Sequence, residues 1–495
     1  MNLYKFINSK KTIYLYLFII AFIIAFTSSY NPFNFREMHV DSSVYMSMSD
    51  GITRGLLPYR DLVDNKGIIL YLINVPGLLL GRFTGVWFTQ LILFYISILF
   101  TYKTALLFGS KYKALLSTFL SFVFLLAFYI VSAGAEEYSL PFLSISFYIF
   151  TKFYYSDNKA INFIELIVLG ICFSCAVIIR LNMFPLWAGF CFVILIESII
   201  KKHFLQLLKY ISGFLIGTII ITIPIIIFLK YNDILNLYIE QVIIGGTSKG
   251  FNGTNLKDII NNFYGKITLT YSFLPLIYGL YSIINKFPNQ NCWFHIAYTL
   301  SYLLTILFMS FSYIGVHSNL IIIPFMVPAF IFFINILFSL FKKSKFKKTF
   351  LFFLIFFTLT NEGVGKNIWV IYKSIFIENL GNHLFYTGNM IDENTLPEDS
   401  IISLGYNAYI YPFTKRKSAS KYIYQGSGLD YIPNAKEEFI SDILINKPAM
   451  IVVYTGVDNI EQYNHDWHAE IYEMIHNEYY VFAKNKHFNL YKKNT

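Results

Sequence analysis

Apolar runs of membrane-spanning length recur along this chain from residue 12 to residue 341, which leaves a bilayer as the only solvent able to accept them all. They lie at roughly 12–29, 86–109, 113–132, 138–154, 161–180, 182–200, 204–229, 267–285, 293–312 and 319–341. An eleventh, 349–361, has only about 13 apolar residues, some 20 Å of helix against a ~30 Å hydrocarbon core, so it crosses only with help from flanking lysines or continuation past Asn361. With 56% hydrophobic and 14% charged residues over 495 positions, the chain has too little polar surface for a soluble protein of its length. That excludes most soluble enzyme classes.

The net charge of +10 would suit a nucleic-acid partner if it were spread over one surface. It is not. The tail from residue 361 carries 12 basic and 16 acidic residues, and the rest of the chain carries 27 and 13. The positive excess falls in every second loop between the runs: Lys103, Lys111 and Lys113; Lys152 and Lys159; Lys201 and Lys202; Lys286; and the cluster Lys342, Lys343, Lys345, Lys347 and Lys348. This alternation predicts a cytoplasmic N-terminus, about eleven spans and no nucleic-acid binding. Residues 30–85, 133–137, Arg180 with Asn182, 230–266, 313–318 and the tail then face outward.

The first run is read as an uncleaved signal anchor. Cys172, Cys175, Cys191 and Cys292 lie in or beside apolar segments, so no disulfide framework is expected, and Cys172 and Cys175 read as small packing residues. Within the first outer loop, Ser42 to Arg54 reads as a helix, and residues 67–81 as a second helix at the interface. The tail alternates β-rich runs (400–406, 421–425, 449–455, 479–484 and 488–491) with helical stretches near 435–445 and 460–477. The expectation is an all-α polytopic membrane domain over 1–361, with a structured outer loop at 30–85, followed by a small extracytoplasmic α/β domain over 362–495. His465, Asp466 and His468 in that tail read as solvated surface, since no further metal ligand can be assigned.

Ionisable residues are scarce at the centres of the runs, unlike the midplane sites of ion-coupled transporters. Instead Asp41, Arg60, Asp61, Asp64, Lys66, Glu136, Glu137, Arg180, Asn182, His317 and Asn319 fall at the outer ends of different runs. Such a set suits an enzyme with one substrate anchored in the bilayer and another arriving from outside. Carboxylates can deprotonate an acceptor or hold a cation, and Arg, Lys and His can hold a lipid-linked phosphate. Each residue alone could equally be an interfacial charge.

Met38-His39-Val40-Asp41-Ser42-Ser43-Val44-Tyr45, Leu57-Pro58-Tyr59-Arg60-Asp61 and Asp64-Asn65-Lys66-Gly67, following a first span, resemble the first outer loop of GT-C membrane glycosyltransferases. The nearest pattern is that of bacterial relatives of protein O-mannosyltransferases and of the aminoarabinose transferase of lipid A. Ala135-Glu136-Glu137-Tyr138 through Pro141, Arg180-Leu181-Asn182, and His317 followed by Pro324 continue the resemblance over most of residues 1–345. It implies inverting transfer of a hexosyl or pentosyl unit from a polyprenyl-phosphate carrier to a glycan, lipid or protein acceptor at the outer face of the cell membrane. It implies Asp41 as catalytic base or acceptor-orienting carboxylate, Lys66, Arg180 or His317 on the phosphate, and Glu136 and Glu137 as a second acidic site. Tyr45, Tyr59 and Tyr71 would offer rings to sugars, and Arg60, Asp61, Asp64 and Asn182 complete the substrate-binding set. Ser42 stands where many relatives carry a second acid, which leaves open whether a divalent metal is held by Asp41, Glu136 or Glu137. Two other functions remain from the residues alone: a transporter or flippase of lipid-linked saccharides, and an oligosaccharide polymerase or ligase.

Overall fold

A computed structural model describes residues 10–33, 35–36, 39–128, 131–156, 160–247, 256–268, 272–285, 292–311, 316–340, 365–366, 368–369, 372, 382–405, 408–425, 429, 432–454 and 469–494. The helices begin with α1 (Lys10–Phe26), α2 (Val40–Thr53), α3 (Ile68–Leu72), α4 (Val75–Leu106), α5 (Lys111–Phe128) and α6 (Ala135–Tyr155). They continue with α7 (Phe163–Ile179), α8 (Pro185–Ile200), α9 (Phe204–Tyr231), α10 (Leu256–Thr268), α11 (Leu274–Asn285), α12 (Cys292–Ser310) and α13 (Ile323–Leu340). The tail holds α14 (Asn382–Glu393), α15 (Ala435–Asn446) and α16 (Ala469–Glu478) with five strands. Among the described residues four helical segments, Val75–Leu106, Phe204–Tyr231, Cys292–Ser310 and Ser318–Ser339, are long and apolar enough to cross a membrane. Phe163–Ile179, Pro185–Ile200 and Leu274–Asn285 are apolar but shorter. The expected run at 349–361 lies outside the described residues.

The chain divides into two compact units. The first comprises residues 1–28, 88–228 and 250–372, and is the helical bundle. Its core is aromatic: Phe150 stacks on Phe190 with centroids 4.8 Å apart, and Phe147, Phe294, Tyr298 and Phe325 pack around them. Glycines let backbones meet, as membrane helices require when packing rather than water drives association. A Cβ on Gly170 of α7 would come within 2.0 Å of the Phe214 carbonyl oxygen of α9, and one on Gly217 within 2.0 Å of that of Ile167. Helix α7 begins on a capping box in which Asn162 accepts from the Glu165 N–H and Glu165 accepts from the Asn162 N–H. Only 11% of the most apolar stretch of α9 is buried within the protein, so its Ile- and Leu-rich face needs lipid.

The second unit joins residues 29–87 and 229–249 with the tail 373–495. Helices α2 and α3 form where the sequence predicts helix in the first outer loop. Helix α4 is broken at Gly81 and at Arg82, whose φ of +50° is left-handed. The break folds the first turns of α4 back, and the Gly77 and Gly85 backbones then touch so closely that a Cβ on Gly85 would sit 2.0 Å from the Gly77 carbonyl oxygen. Arg82 at the bend donates to the Pro412 carbonyl at 2.7 Å. Phe35 and Phe83 of the outer loop pack with Phe385 and Phe413 of the tail. Outer loop and tail therefore share one core.

The tail carries a five-stranded mixed sheet in the order β2-β1-β3-β5-β4: β1 (Ser400–Leu404), β2 (Lys417–Ser418), β3 (Met450–Tyr454), β4 (Tyr479–Lys484) and β5 (Phe488–Lys493). β3 lies parallel to β1 and antiparallel to β5, and its Met450–Val453 run is buried, as a central strand requires. The stretch 421–425 is not a strand. The Ser420 hydroxyl oxygen accepts from the Tyr422 N–H, and the Gln425 amide donates to the Ser403 and Tyr422 carbonyls, so side chains take the place of a ladder. The pairing β1 needs on that edge comes from Lys417 and Ser418 instead. His465, Asp466 and His468 lie outside the described residues.

Candidate active site

The site residues read from the sequence divide between the units. Glu136, Glu137, Arg180, Asn182 and His317 belong to the bundle; Asp41, Tyr45, Tyr59, Arg60, Asp61, Asp64 and Lys66 belong to the second unit.

In the bundle, Glu136 and Glu137 occupy the first turn of α6, where the helix dipole favours anions. Glu137 is buried and accepts from the Gln90 amide at 2.7 Å and from the Ser132 and Ala133 backbone N–H groups at 3.2 Å. Gln90 is oriented in turn by the Ser28 hydroxyl, which donates to its amide oxygen at 2.6 Å. Glu136, also buried, forms an ion pair with Arg180, which ends α7 in an extended conformation before the 3₁₀ turn Leu181–Met183. Between those helices the loop is short because Pro185 opens α8 almost at once.

A residue absent from the sequence reading joins this pair. Lys266, near the end of α10, is buried and donates to the Ser318 hydroxyl at 2.9 Å. Burial, and then the neighbouring Arg180 guanidinium, push its ammonium down to about 8. Asn319 beside Ser318 is 1% exposed, and neither atom of its amide is hydrogen-bonded among the described residues; the buried Asn182 Oδ1 is in the same condition. His317 lies on the 3₁₀ turn Val316–Ile322, and its side chain is outside the described residues. The bundle thus brings together Glu136, Arg180 and Lys266 from three segments distant in sequence.

In the second unit, Asp41 sits in the first turn of α2, exposed, with no hydrogen bond or ion pair to a described residue. The helix behind it is fixed: the Ser43 hydroxyl oxygen accepts from the Ala408 N–H at 3.0 Å, and the Ser47 hydroxyl donates to the Ala408 carbonyl at 3.0 Å. Asp61 closes its own turn, accepting from the Leu57 N–H at 2.8 Å and from Arg60 Nε at 3.0 Å. Asp64 is buried and accepts from the Tyr71 hydroxyl and the Asn65 N–H, both at 2.7 Å, and from the Tyr424 hydroxyl at 3.4 Å. Tyr59 and Tyr71 both donate to the Lys66 carbonyl. Tyr59, at φ +70°, is held in that strained conformation by burial and by Gln241, which donates to its carbonyl from the π-helical turn Ile239–Ile244.

The rings of Tyr45, Tyr59 and Tyr71 are buried in packing, so none of the three presents a free face to a sugar here. Asp64, Tyr59 and Tyr71 form an internal network that shapes the loop around Lys66. Among the described residues no three His, Cys, Asp or Glu side chains gather as metal ligands. Glu136 and Glu137 serve Arg180, Gln90 and backbone N–H groups.

No protein-family model matches the sequence, and no curated protein matches it. The solved structure of ArnT from Cupriavidus metallidurans bound to undecaprenyl phosphate is similar over 96% of this chain and 97% of its own, with a TM-score of 0.59 at 12% identity. The Archaeoglobus fulgidus oligosaccharyltransferase tethered to an acceptor peptide with an NVT sequon matches over 99% of this chain and 75% of its own, with a TM-score of 0.55 at 12% identity. The complex of that oligosaccharyltransferase with Zn and sulfate matches over 90% and 69%, with a TM-score of 0.53 at 12% identity. Helical bundle, structured outer loop and small sheet give this chain the fold that these solved structures have.

Proposed function

We propose that this protein is an integral-membrane glycosyltransferase that moves a sugar from a polyprenyl-phosphate carrier to an acceptor on the outer face of the cell membrane, in the synthesis of cell-surface glycans. The observation that carries the reading is the buried pairing of Glu136 with Arg180 beside Lys266, which gathers two cations of the kind a leaving phosphate requires. The likeness to ArnT bound to undecaprenyl phosphate supports the same chemistry.

Transfer breaks the bond between the anomeric carbon and the phosphate oxygen, whose electron pair leaves with the phosphate. A bond from the acceptor oxygen to that carbon replaces it, with inversion, and the acceptor proton passes to the Asp41 carboxylate. Arg180 and Lys266 stabilise the charge that grows on the departing phosphate. Glu136 fixes the guanidinium, and Glu137 with Gln90 fixes the start of α6. The amides of Asn182 and Asn319 offer further hydrogen bonds to donor oxygens.

Binding is tested with undecaprenyl phosphate on the purified full chain: wild type binds, and Arg180→Ala binds at least tenfold more weakly. Unchanged binding in that variant would remove the bundle cations from the donor site. Mass spectrometry of surface glycans with and without the gene then identifies the product, and a product extended by a whole oligosaccharide rather than one residue would favour a polymerase or ligase.

The ammonium of Lys266 also sets a pH dependence. Because its value lies near 8 rather than the ordinary ~10.4, donor binding falls as pH rises through about 8, where the proton is lost. Lys266→Arg keeps its charge throughout that range, so its binding stays level between pH 7 and 9.5. Identical pH profiles for the two proteins would show that Lys266 does not carry the charge the donor senses.

A further inference from the structure

Glu136, Arg180 and Ser318 gather at one end of the bundle, and a second recess lies at the other. Helix α13 starts just after the turn that holds Ser318 and runs for 18 residues, about 27 Å, to Leu340. Near its far end a cavity of about 270 Å³ is lined by Phe108, Tyr278, Tyr281, Ile331, Phe332 and Asn335. Its walls are largely aromatic and aliphatic. Lys113, in the first turn of α5, donates to the Asn335 amide oxygen at the edge of this recess, and no carboxylate is among its partners in the described residues.

The same end of the bundle is rich in lysine. Lys103 ends α4, Lys111 and Lys113 open α5, Lys152 ends α6, and Lys201 and Lys202 follow α8. Two acids, Glu165 and Glu197, answer Lys152 and Lys201. Among the described residues Lys103, Lys111, Lys113 and Lys202 remain in excess, a distribution that belongs against an anionic leaflet.

We propose that the recess between α11 and α13 is a binding site for one anionic phospholipid of the inner leaflet, its phosphate on Lys113 and the Asn335 amide and its acyl chain along Phe108, Ile331 and Phe332. The site is separate from the proposed reaction, and its occupant is chosen by charge: a cation at the rim of an apolar slot, on a face already positive, selects an anionic headgroup over a zwitterionic one. In this site Lys113 acts as the headgroup contact and the aromatic wall as the chain contact.

The test uses the full chain, purified in detergent and exchanged into equal amounts of phosphatidylglycerol and phosphatidylcholine, with retained lipid counted by native mass spectrometry. Wild type should retain phosphatidylglycerol about fivefold in preference, the factor one basic residue contributes at an anionic surface. Lys113→Gln should bring the ratio to about one, and Ile336→Trp, which puts an indole into the slot that Ile336 also lines, should reduce retention of both lipids. Equal retention by wild type overturns the proposal without reference to any variant. So does a preference that Lys113→Gln leaves intact. Undecaprenyl phosphate binding in Lys113→Gln should equal wild type, which distinguishes failure at this site from failure of the donor site.

Discussion

Asp41→Asn lowers sugar transfer in membranes by about 10²–10⁴-fold while the amount of folded protein stays unchanged. The amide is nearly the same size as the acid but cannot take the acceptor proton. Nothing in the fold depends on the charge: Asp41 is exposed in the first turn of α2 and bonds to no described residue. Losing one anion at a helix N-terminus costs at most about 1 kcal/mol, too little to unfold the protein. The check is the rate at which membranes move label from a lipid-linked donor, with expression measured by size-exclusion chromatography of a fluorescent fusion. Transfer at a near wild-type rate would remove Asp41 from the mechanism.

Glu136→Gln costs about 3 kcal/mol of stability and also weakens donor binding, because it leaves the Arg180 guanidinium without its buried partner. The cost lies at the low end for a broken buried pair, since Arg180 keeps 23% of its side chain exposed. The double variant Glu136→Gln/Arg180→Met regains most of that stability but binds the donor at least tenfold more weakly, as Arg180→Ala does. Thermal unfolding in detergent gives the first quantity and undecaprenyl phosphate binding the second. Additive losses in the double variant would show that the two side chains do not act as a pair.

How far the sequence could be read depended on the strength of the physical signal at each place. The structured first outer loop was legible because Val40–Thr53 has a helical mix of apolar and small polar residues and because Asn74, Pro76 and Gly77 interrupt the next apolar run. The sequence puts Glu136 and Arg180 at the ends of different apolar runs, but only the fold brings them together as an ion pair. Lys266 escaped notice because a single lysine near the end of an amphipathic helix looks like any solvated charge; only the fold buries it against Ser318. Tyr59 and Tyr71 read as interfacial rings, yet their hydroxyls serve the Lys66 carbonyl inside the loop. The β-rich stretch 421–425 lost its strand to side-chain hydrogen bonds that no pattern of apolar residues reveals. Nor does a linear sequence reveal that Phe83 and Phe413 share a core, which joins the outer loop and tail into one unit.

Spin labels introduced at His39→Cys and Leu181→Cys, in a chain whose four native cysteines are replaced, give the separation that matters most. These positions neighbour Asp41 and Arg180 without removing either. If proton acceptor and phosphate cations serve one sugar, pulsed electron paramagnetic resonance should return a distance well below the ~30 Å of the hydrocarbon core, and one that shortens or sharpens when undecaprenyl phosphate binds. A distance of ~30 Å or more, indifferent to the lipid, would contradict a common active centre.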